Sequence, residues 1–280
     1  MPTRWPVTIS SNARRRVRGQ PTPLIALTRP DGGNARLAAH IRAACPDCRV
    51  VDWPLLLIES AADPARLRTE LSAMAEDDWA VFVSPRAVRH AQALQPLAQW
   101  PARHWAAVGG ATAAVLGDFR AGSATEILVP KTTQDSEGLL AAWPSGDLTG
   151  RTVWLVRGET GRETLAAGLR SRGARVRYLP VYRRRCAGAP PKDGADTGTL
   201  PAIWVITSPE SLVCLTNWAT AALDAGQRKG LLHSGLVVIN ERTEAKARAL
   251  GFTGTIVRAT DPDDQALARA CSDRSLIEAG

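Results

Sequence analysis

Aromatic hydroxyls are scarce in this chain. Only two tyrosines, three phenylalanines and two methionines occur among 280 residues, so a phenol has two possible sources, Tyr178 and Tyr182. Histidine is nearly as sparse. The four histidines (His40, His90, His104, His233) show no metal-ligand spacing, and none completes a Ser/His/Asp arrangement. Cysteine numbers five, and an odd count argues against a disulfide framework. Cys45-Pro46-Asp47-Cys48 has the C-x-x-C spacing, yet a structural zinc takes four ligands and no second pair with that spacing exists; the pair is read as incidental. Nothing in the sequence points to a metal or cofactor. No apolar run approaches the roughly 18 residues of a membrane helix. The opening stretch lacks the apolar core of a secretory signal, so neither export nor a membrane is expected, and the cytoplasm is the expected location. A G-x-x-x-x-G-K-[ST] loop is absent: Val156 to Arg162 (VRGETGR) is only faintly similar, which disfavours ATP.

Acidic residues are missing from the first 22 positions, where Arg4, Arg14, Arg15, Arg16 and Arg18 stand. A net charge of +8 suggests nucleic acid. Without those five arginines the remainder carries +3, which is ordinary. Residues 1–22 are read as a disordered arginine-rich tail, a composition that an organelle transit peptide shares. A basic nucleic-acid binder would owe its affinity to this tail and would show steep salt dependence lost on its deletion.

The full chain is 45% hydrophobic and 22% charged, as in soluble globular proteins. Short β-branched runs alternate with Ala/Leu/Arg-rich stretches, the rhythm of parallel α/β architecture. Ten strands are predicted: Leu24–Thr28, Arg49–Asp52, Trp79–Val83, Trp105–Val108, Glu126–Val129, Val153–Val156, Arg175–Leu179, Ile203–Thr207, Leu236–Ile239 and Gly254–Val257. That number suits two sheets of five. Helical faces are predicted at Leu37, Ile41 and Ala44, at Ala87, Ala91 and Leu94, and at Leu165 and Leu169. Gly117, Gly173 and Gly251 sit where left-handed C-caps are expected.

One turn is written twice. Val81 to Val88 (VFVSPRAV) and Val205 to Leu212 (VITSPESL) both read as strand, serine N-cap, proline at the first helical position, then helix. The likeness continues: Ala106 to Gly117 and Leu236 to Gly251 each run strand, polar turn with a threonine, alanine-rich helix and closing glycine. Thr112 and Thr243 occupy matching places. Ligands of open α/β sheets bind beyond the carboxyl ends of the strands, at helix N-termini whose free N–H groups favour anions. Ser84, Thr112, Ser208 and Thr243 all fall there, a setting for a ligand with several carboxylates or phosphates.

These residues resemble the uroporphyrinogen-III synthase family from Leu24 to about Ala270. The likeness rests on Thr28-Arg29-Pro30, the Ser84 turn, Ala107 to Thr112 (AVGGAT), Ser136 to Leu140 (SEGLL), Val156-Arg157-Gly158 with Gly161-Arg162-Glu163, Val181-Tyr182, Thr207-Ser208-Pro209 and the Thr243 turn. Asn240-Glu241-Arg242-Thr243 departs from the family's Gly-Pro-Thr-Thr, keeping only the later threonine. The resemblance implies two flavodoxin-like parallel-sheet domains joined by a two-stranded crossover, with the active site in the interdomain cleft. Domain 1 would take residues 23–53 and 187–275, domain 2 residues 58–180, and 54–57 with 181–186 would be the crossover linkers.

The resemblance further implies an enzyme, a lyase that cyclises hydroxymethylbilane with loss of water and inversion of ring D. The product is uroporphyrinogen III, in tetrapyrrole (haem) biosynthesis. No cofactor is implied, a monomer is expected, and the upstream bilane-forming enzyme is the one protein partner to consider. Tyr182 is implied as the catalytic residue, its phenol assisting departure of the hydroxyl. Thr28, Arg29, Ser84, Thr112, Arg157, Ser208 and Thr243 are implied as substrate contacts, the arginines pairing with acetate or propionate groups. A non-catalytic two-domain binding protein for a polyanionic ligand is the alternative.

Overall fold

The computed structural model describes residues 23–120, 126–144, 147–188 and 200–277; the arginine-rich segment 1–22 lies outside them. They fall into two compact units, one of residues 23–53 with 200–277 and one of residues 54–188.

In chain order the first unit opens with β1 (Leu24–Leu27), α1 (Ala35–Ala44) and β2 (Arg49–Asp52). The second follows with β3 (Leu56–Ser60), α2 (Pro64–Leu71), β4 (Trp79–Phe82), α3 (Pro85–Leu94), β5 (His104–Ala107) and α4 (Gly110–Phe119). It continues with β6 (Ile127–Leu128), α5 (Ser136–Ala142), β7 (Thr152–Gly158), α6 (Thr164–Arg170) and the long β8 (Arg175–Cys186). The chain then completes the first unit with β9 (Ile203–Ile206), α7 (Pro209–Ala222), α8 (Ala225–His233), β10 (Gly235–Val238), α9 (Glu241–Ala249), β11 (Ile256–Arg258), α10 (Asp264–Cys271) and α11 (Arg274–Ile277).

The first unit holds a five-stranded sheet in the order β2-β1-β9-β10-β11, parallel throughout. Counted within the unit this is the flavodoxin order. Because both faces are covered, its central strands β1, β9 and β10 are apolar and buried along their whole length rather than alternating. Ile25, Leu27, Ile203, Val205 and Val237 pack with Leu37 and Ile41 of α1 and Leu267 and Cys271 of α10. Trp53, Trp204 and Trp218 also cluster in this unit, with ring centroids 5.1 and 5.3 Å apart. The buried Cys271 thiol is pushed up to about 12 by desolvation.

The second unit holds six strands, ordered β3-β8-β7-β4-β5-β6. All neighbours are parallel except β3, which runs antiparallel to β8 from Leu56↔Cys186 to Ser60↔Tyr182. Two expectations change here. The sheet has a sixth strand because the outgoing stretch pairs with the returning one, satisfying backbone groups that open linkers would leave to solvent. Its parallel strands also follow the other doubly wound order, since after β6 the chain crosses back over α5 to lay β7 beside β4. Successive residues face opposite layers. Ala80, Phe82, Trp154 and Val156 pack with Trp105, α2 and α3 on one side; Val81, Val153 and Leu155 pack with Leu139, Leu165 and Leu169 of α5 and α6 on the other.

Three local expectations are corrected. Ala44 is exposed, Ala38 taking its place on the buried face of α1. Gly173 and Gly251 adopt the left-handed conformation at φ 87° and 90°, whereas Gly117 lies inside α4, which runs on to Phe119. Cys45 and Cys48, read as incidental, are joined by a disulfide. The turn between α1 and β2 brings their Cα atoms to 5.4 Å, inside the range a bridge requires.

Candidate functional site

A doubly wound sheet opens a crevice where neighbouring strands send their connections in opposite directions. That point lies between β1 and β9 in the first unit and between β4 and β7 in the second. Each unit gathers its own share of the expected residues at the carboxyl edge of its sheet. Thr28, Arg29, Ser208 and Thr243 belong to the first edge; Ser84, Thr112, Arg157 and Tyr182 belong to the second.

At the first edge the Thr28 hydroxyl is 1% exposed and donates to the Val205 carbonyl at 2.6 Å, bridging the switch-point strands. The Arg29 guanidinium pairs with Asp264 at 2.5 Å and donates to the Pro262 carbonyl at 3.3 Å. Asp264 takes a second arginine, Arg36, at 3.2 Å. Asn34 is the hub that sequence reasoning missed: its side-chain amide donates to Asp52 at 2.5 Å and to the carbonyls of Arg29 and Leu27 at 2.9 and 3.2 Å. An Asn just before a helix reads as an N-cap, and nothing local announces this other use. Ser208 caps α7 by accepting the Ser211 N–H at 3.1 Å. Thr243 is buried, and its N–H and hydroxyl both donate to Asn240 Oδ1 at 2.9 Å. Asn240 therefore supplies the cap of α9, which explains how the Asn-Glu-Arg-Thr turn closes.

A shallow cavity of about 440 Å³ in the same unit is lined by Glu241, Glu244, Ala245, Arg248 and Arg258. Arg248 donates to the Phe252 and Gly254 carbonyls, both at 3.0 Å, and Glu241 stands 4.0 Å from Arg258.

At the second edge Ser84 caps α3 by accepting the Ala87 N–H at 3.1 Å. Thr112 is buried in the first turn of α4. Gly109 has no side chain to cap that helix, and the Gln134 amide oxygen accepts the Gly110 N–H in its stead. Arg157 is buried and pairs with Glu163 at 3.0 Å while donating to the Gly158 and Arg162 carbonyls at 3.2 and 3.4 Å. Glu163 also accepts the Tyr178 hydroxyl, to which Arg170 donates at 3.0 Å. The Tyr178 hydrogen bond first, then Arg157, hold the Glu163 carboxyl below its ordinary range.

Tyr182 owes its position to a break in register. Strand β8 pairs Arg157↔Pro180 but Gly158↔Tyr182, one extra residue on the β8 side. Such a bulge re-aims the side chains beyond it. Leu179 and Val181 face the layer of α2 and α3, and the bulge turns Tyr182 to that layer as well. Regular alternation would have put it with Tyr178, which packs in the opposite layer. The ring lies against Gly158, where a Cβ would stand 2.8 Å from its Cε2 and Cζ atoms. Tyr182 is 4% exposed. Among the described residues no group hydrogen-bonds its hydroxyl, and the oxygen is not sealed from solvent. That combination, a fixed ring with an uncommitted hydroxyl, suits donation to a bound molecule. Among the described residues no cluster of three or more His, Cys, Asp or Glu side chains could hold a metal ion, and no described helix is long and apolar enough to cross a membrane.

Fold and edges together define a doubly wound α/β protein with N-capped helices and hydroxyl groups at its strand ends. The family described as uroporphyrinogen-III synthase HemD matches residues 35–269. The uroporphyrinogen-III synthase of Salmonella typhimurium is 32% identical over 256 residues, covering 88% of this chain and 98% of that protein; the Escherichia coli protein of the same name is 31% identical with the same coverage. The solved structure of the uroporphyrinogen-III synthetase of Helicobacter pylori shares the fold, with a TM-score of 0.53 at 15% identity over 89% of this chain and 98% of that one. The chain belongs to the uroporphyrinogen-III synthase family.

Proposed function

We propose that this chain converts hydroxymethylbilane to uroporphyrinogen III, as a lyase that eliminates water from the hydroxymethyl carbon and closes the macrocycle with ring D inverted. Family membership over most of the chain supports the activity, and the Tyr182 hydroxyl is the observation that carries the mechanism. The phenol gives its proton to the departing hydroxyl, which leaves as water; the pyrrole N–H of the same ring loses its proton as the azafulvene forms, restoring the phenol, and closure proceeds through a spiro intermediate. Positioned proton transfer of this kind contributes about 10²- to 10⁴-fold, with a phenol at the low end.

The bilane closes unaided to the type I isomer, so path selection is as much the task as acceleration. Holding the two chain ends in register contributes most, since well-oriented groups gain roughly 7–11 kcal/mol in favourable cases. The substrate carries an acetate and a propionate on every pyrrole. Each unit takes part of that set at its own edge: Ser84 with the amides of α3 and α4 and Ser208 with those of α7 and α9, while the buried Thr28, Thr112 and Thr243 hold the turns that present those amides. Arg29 and Arg157 already hold carboxylates, Asp264 and Glu163, so they take a substrate carboxylate by exchange. That exchange is nearly balanced in charge and favours selection over raw affinity.

The test supplies freshly prepared hydroxymethylbilane, oxidises the products and separates type I from type III porphyrin. Type III in excess, formed faster than the uncatalysed closure, is expected. Type I alone at the uncatalysed rate would leave a polyanion-binding protein as the reading.

A further inference from the structure

We propose that His90 is a positioning residue for Tyr182, an inference that rests on the catalytic reading of that tyrosine. His90 stands on α3, the helix that starts at the Ser84 cap. Its ring stacks on Tyr182 with centroids 5.4 Å apart and planes 30° from parallel, inside the 4.5–7 Å range of favourable aromatic pairs. Its Nδ1 lies 3.5 Å from Ser60 Oγ, and Ser60 is the β3 residue paired with Tyr182. The tyrosine ring is thereby bounded on three sides. Gly158 leaves the space it enters from β7, Ser60 flanks it on β3, and the imidazole covers it from the helix.

The arrangement matters because, among the described residues, the Tyr182 hydroxyl has no acceptor to aim it. A phenol without a hydrogen-bond partner is directed only by what holds its ring. Since a misplacement of about 1 Å can cost about 10²-fold in rate, the stacking imidazole, with Gly158 and Ser60, sets that direction. His90 makes this contact through its flat face, so a planar substitute should keep it and a chain without a ring should not. Nothing in the composition or spacing of the four histidines singled it out; α3 and the bulge in β8 bring it to the tyrosine.

The experiment measures kcat and KM for uroporphyrinogen III formation in His90→Gln and His90→Phe, each alone and combined with Tyr182→Phe. Circular dichroism and thermal midpoints confirm folding, and His90→Leu replaces the glutamine variant should that one not fold. His90→Gln is expected to lower kcat about tenfold with KM within about twofold, the pattern of an interaction acting only in the transition state. His90→Phe is expected to keep kcat within about threefold of the parent, because its ring stacks likewise. In the Tyr182→Phe background His90→Gln should cost little more, since the hydroxyl it aims is gone. Parental kcat in folded His90→Gln, or the same loss with and without the Tyr182 hydroxyl, overturns the inference and leaves the role of Tyr182 standing. Parental kcat in Tyr182→Phe overturns the reading of Tyr182 and the role of His90 with it.

Discussion

The two carboxyl edges share an architecture and differ in how their polar groups are used. At the first, Thr28 closes on Val205, Asn34 on Asp52 and Arg29 on Asp264. At the second, Arg157, Glu163 and Tyr178 close on one another in the same manner. One side chain further along β8 breaks the pattern. Tyr178 and Tyr182 stand four residues apart in one strand, yet the first spends its hydroxyl on Glu163 and the second meets no hydrogen-bond partner among the described residues. The edges therefore divide the work on the proposed reading. Both present helix N-termini for carboxylates, and among the described residues the second adds the phenol of Tyr182 as a proton donor.

The sharpest way to break this comparison is to remove each phenol in turn. Tyr182→Phe is expected to lower type III turnover by about 10²-fold with an unchanged thermal midpoint. Tyr178→Phe should stay within about threefold of the parent, because its hydroxyl serves an ion-pair network rather than substrate. Equal turnover in the two variants would erase the distinction between them.

Gly158→Ala tests the slot rather than the hydroxyl. The new methyl would meet the Tyr182 ring at 2.8 Å, and the neighbours are strand backbone and core, so the ring must shift. Turnover should fall about tenfold through misdirection of the phenol, with a stability loss of about 1–3 kcal/mol from overpacking. Denaturant titration beside the isomer assay separates the two effects.

Thr28→Val tests the closed edge. It removes the hydroxyl and leaves the Val205 carbonyl without that donor at a site that is 1% exposed. Unfolding free energy should fall by about 1–3 kcal/mol. No measurable loss would mean that the bridge across the β1–β9 crevice is not a stabilising element.

The smallest expected effect is electrostatic. Glu163 is held below its ordinary value of 4.5, chiefly by Tyr178. A depressed carboxylate contributes stability that is present above the ordinary value and is lost as pH falls through the depressed one. Glu163→Gln should therefore narrow the gap between thermal midpoints measured near about pH 6 and about pH 3, and an unchanged gap would show the carboxylate to be energetically silent.

Much of this molecule is written locally. Ser84-Pro85 and Ser208-Pro209 are strand-to-helix corners because a serine oxygen can cap the helix it precedes and proline suits the first turn; those preferences act over three or four residues. Apolar runs such as Leu24–Leu27 and Ile203–Ile206 announce buried parallel strands for the same reason, and the repeated pattern of turn, threonine and alanine-rich helix announces two related units. The family resemblance rests on these short segments, whose order and spacing a linear reading can follow.

Other features depend on residues that no local window contains. The partner of Arg29 is Asp264, 235 residues away. The cap of α4 comes from Gln134 across a loop. The sixth strand exists because Leu56–Ser60 finds Tyr182–Cys186. Period-two alternation places Tyr178 and Tyr182 on one face; the bulge opposite Arg157 and Gly158 separates them, because an extra residue inverts every side chain beyond it. Which phenol is free, and which histidine covers it, follows from strand register, a property of two segments pairing and of neither alone.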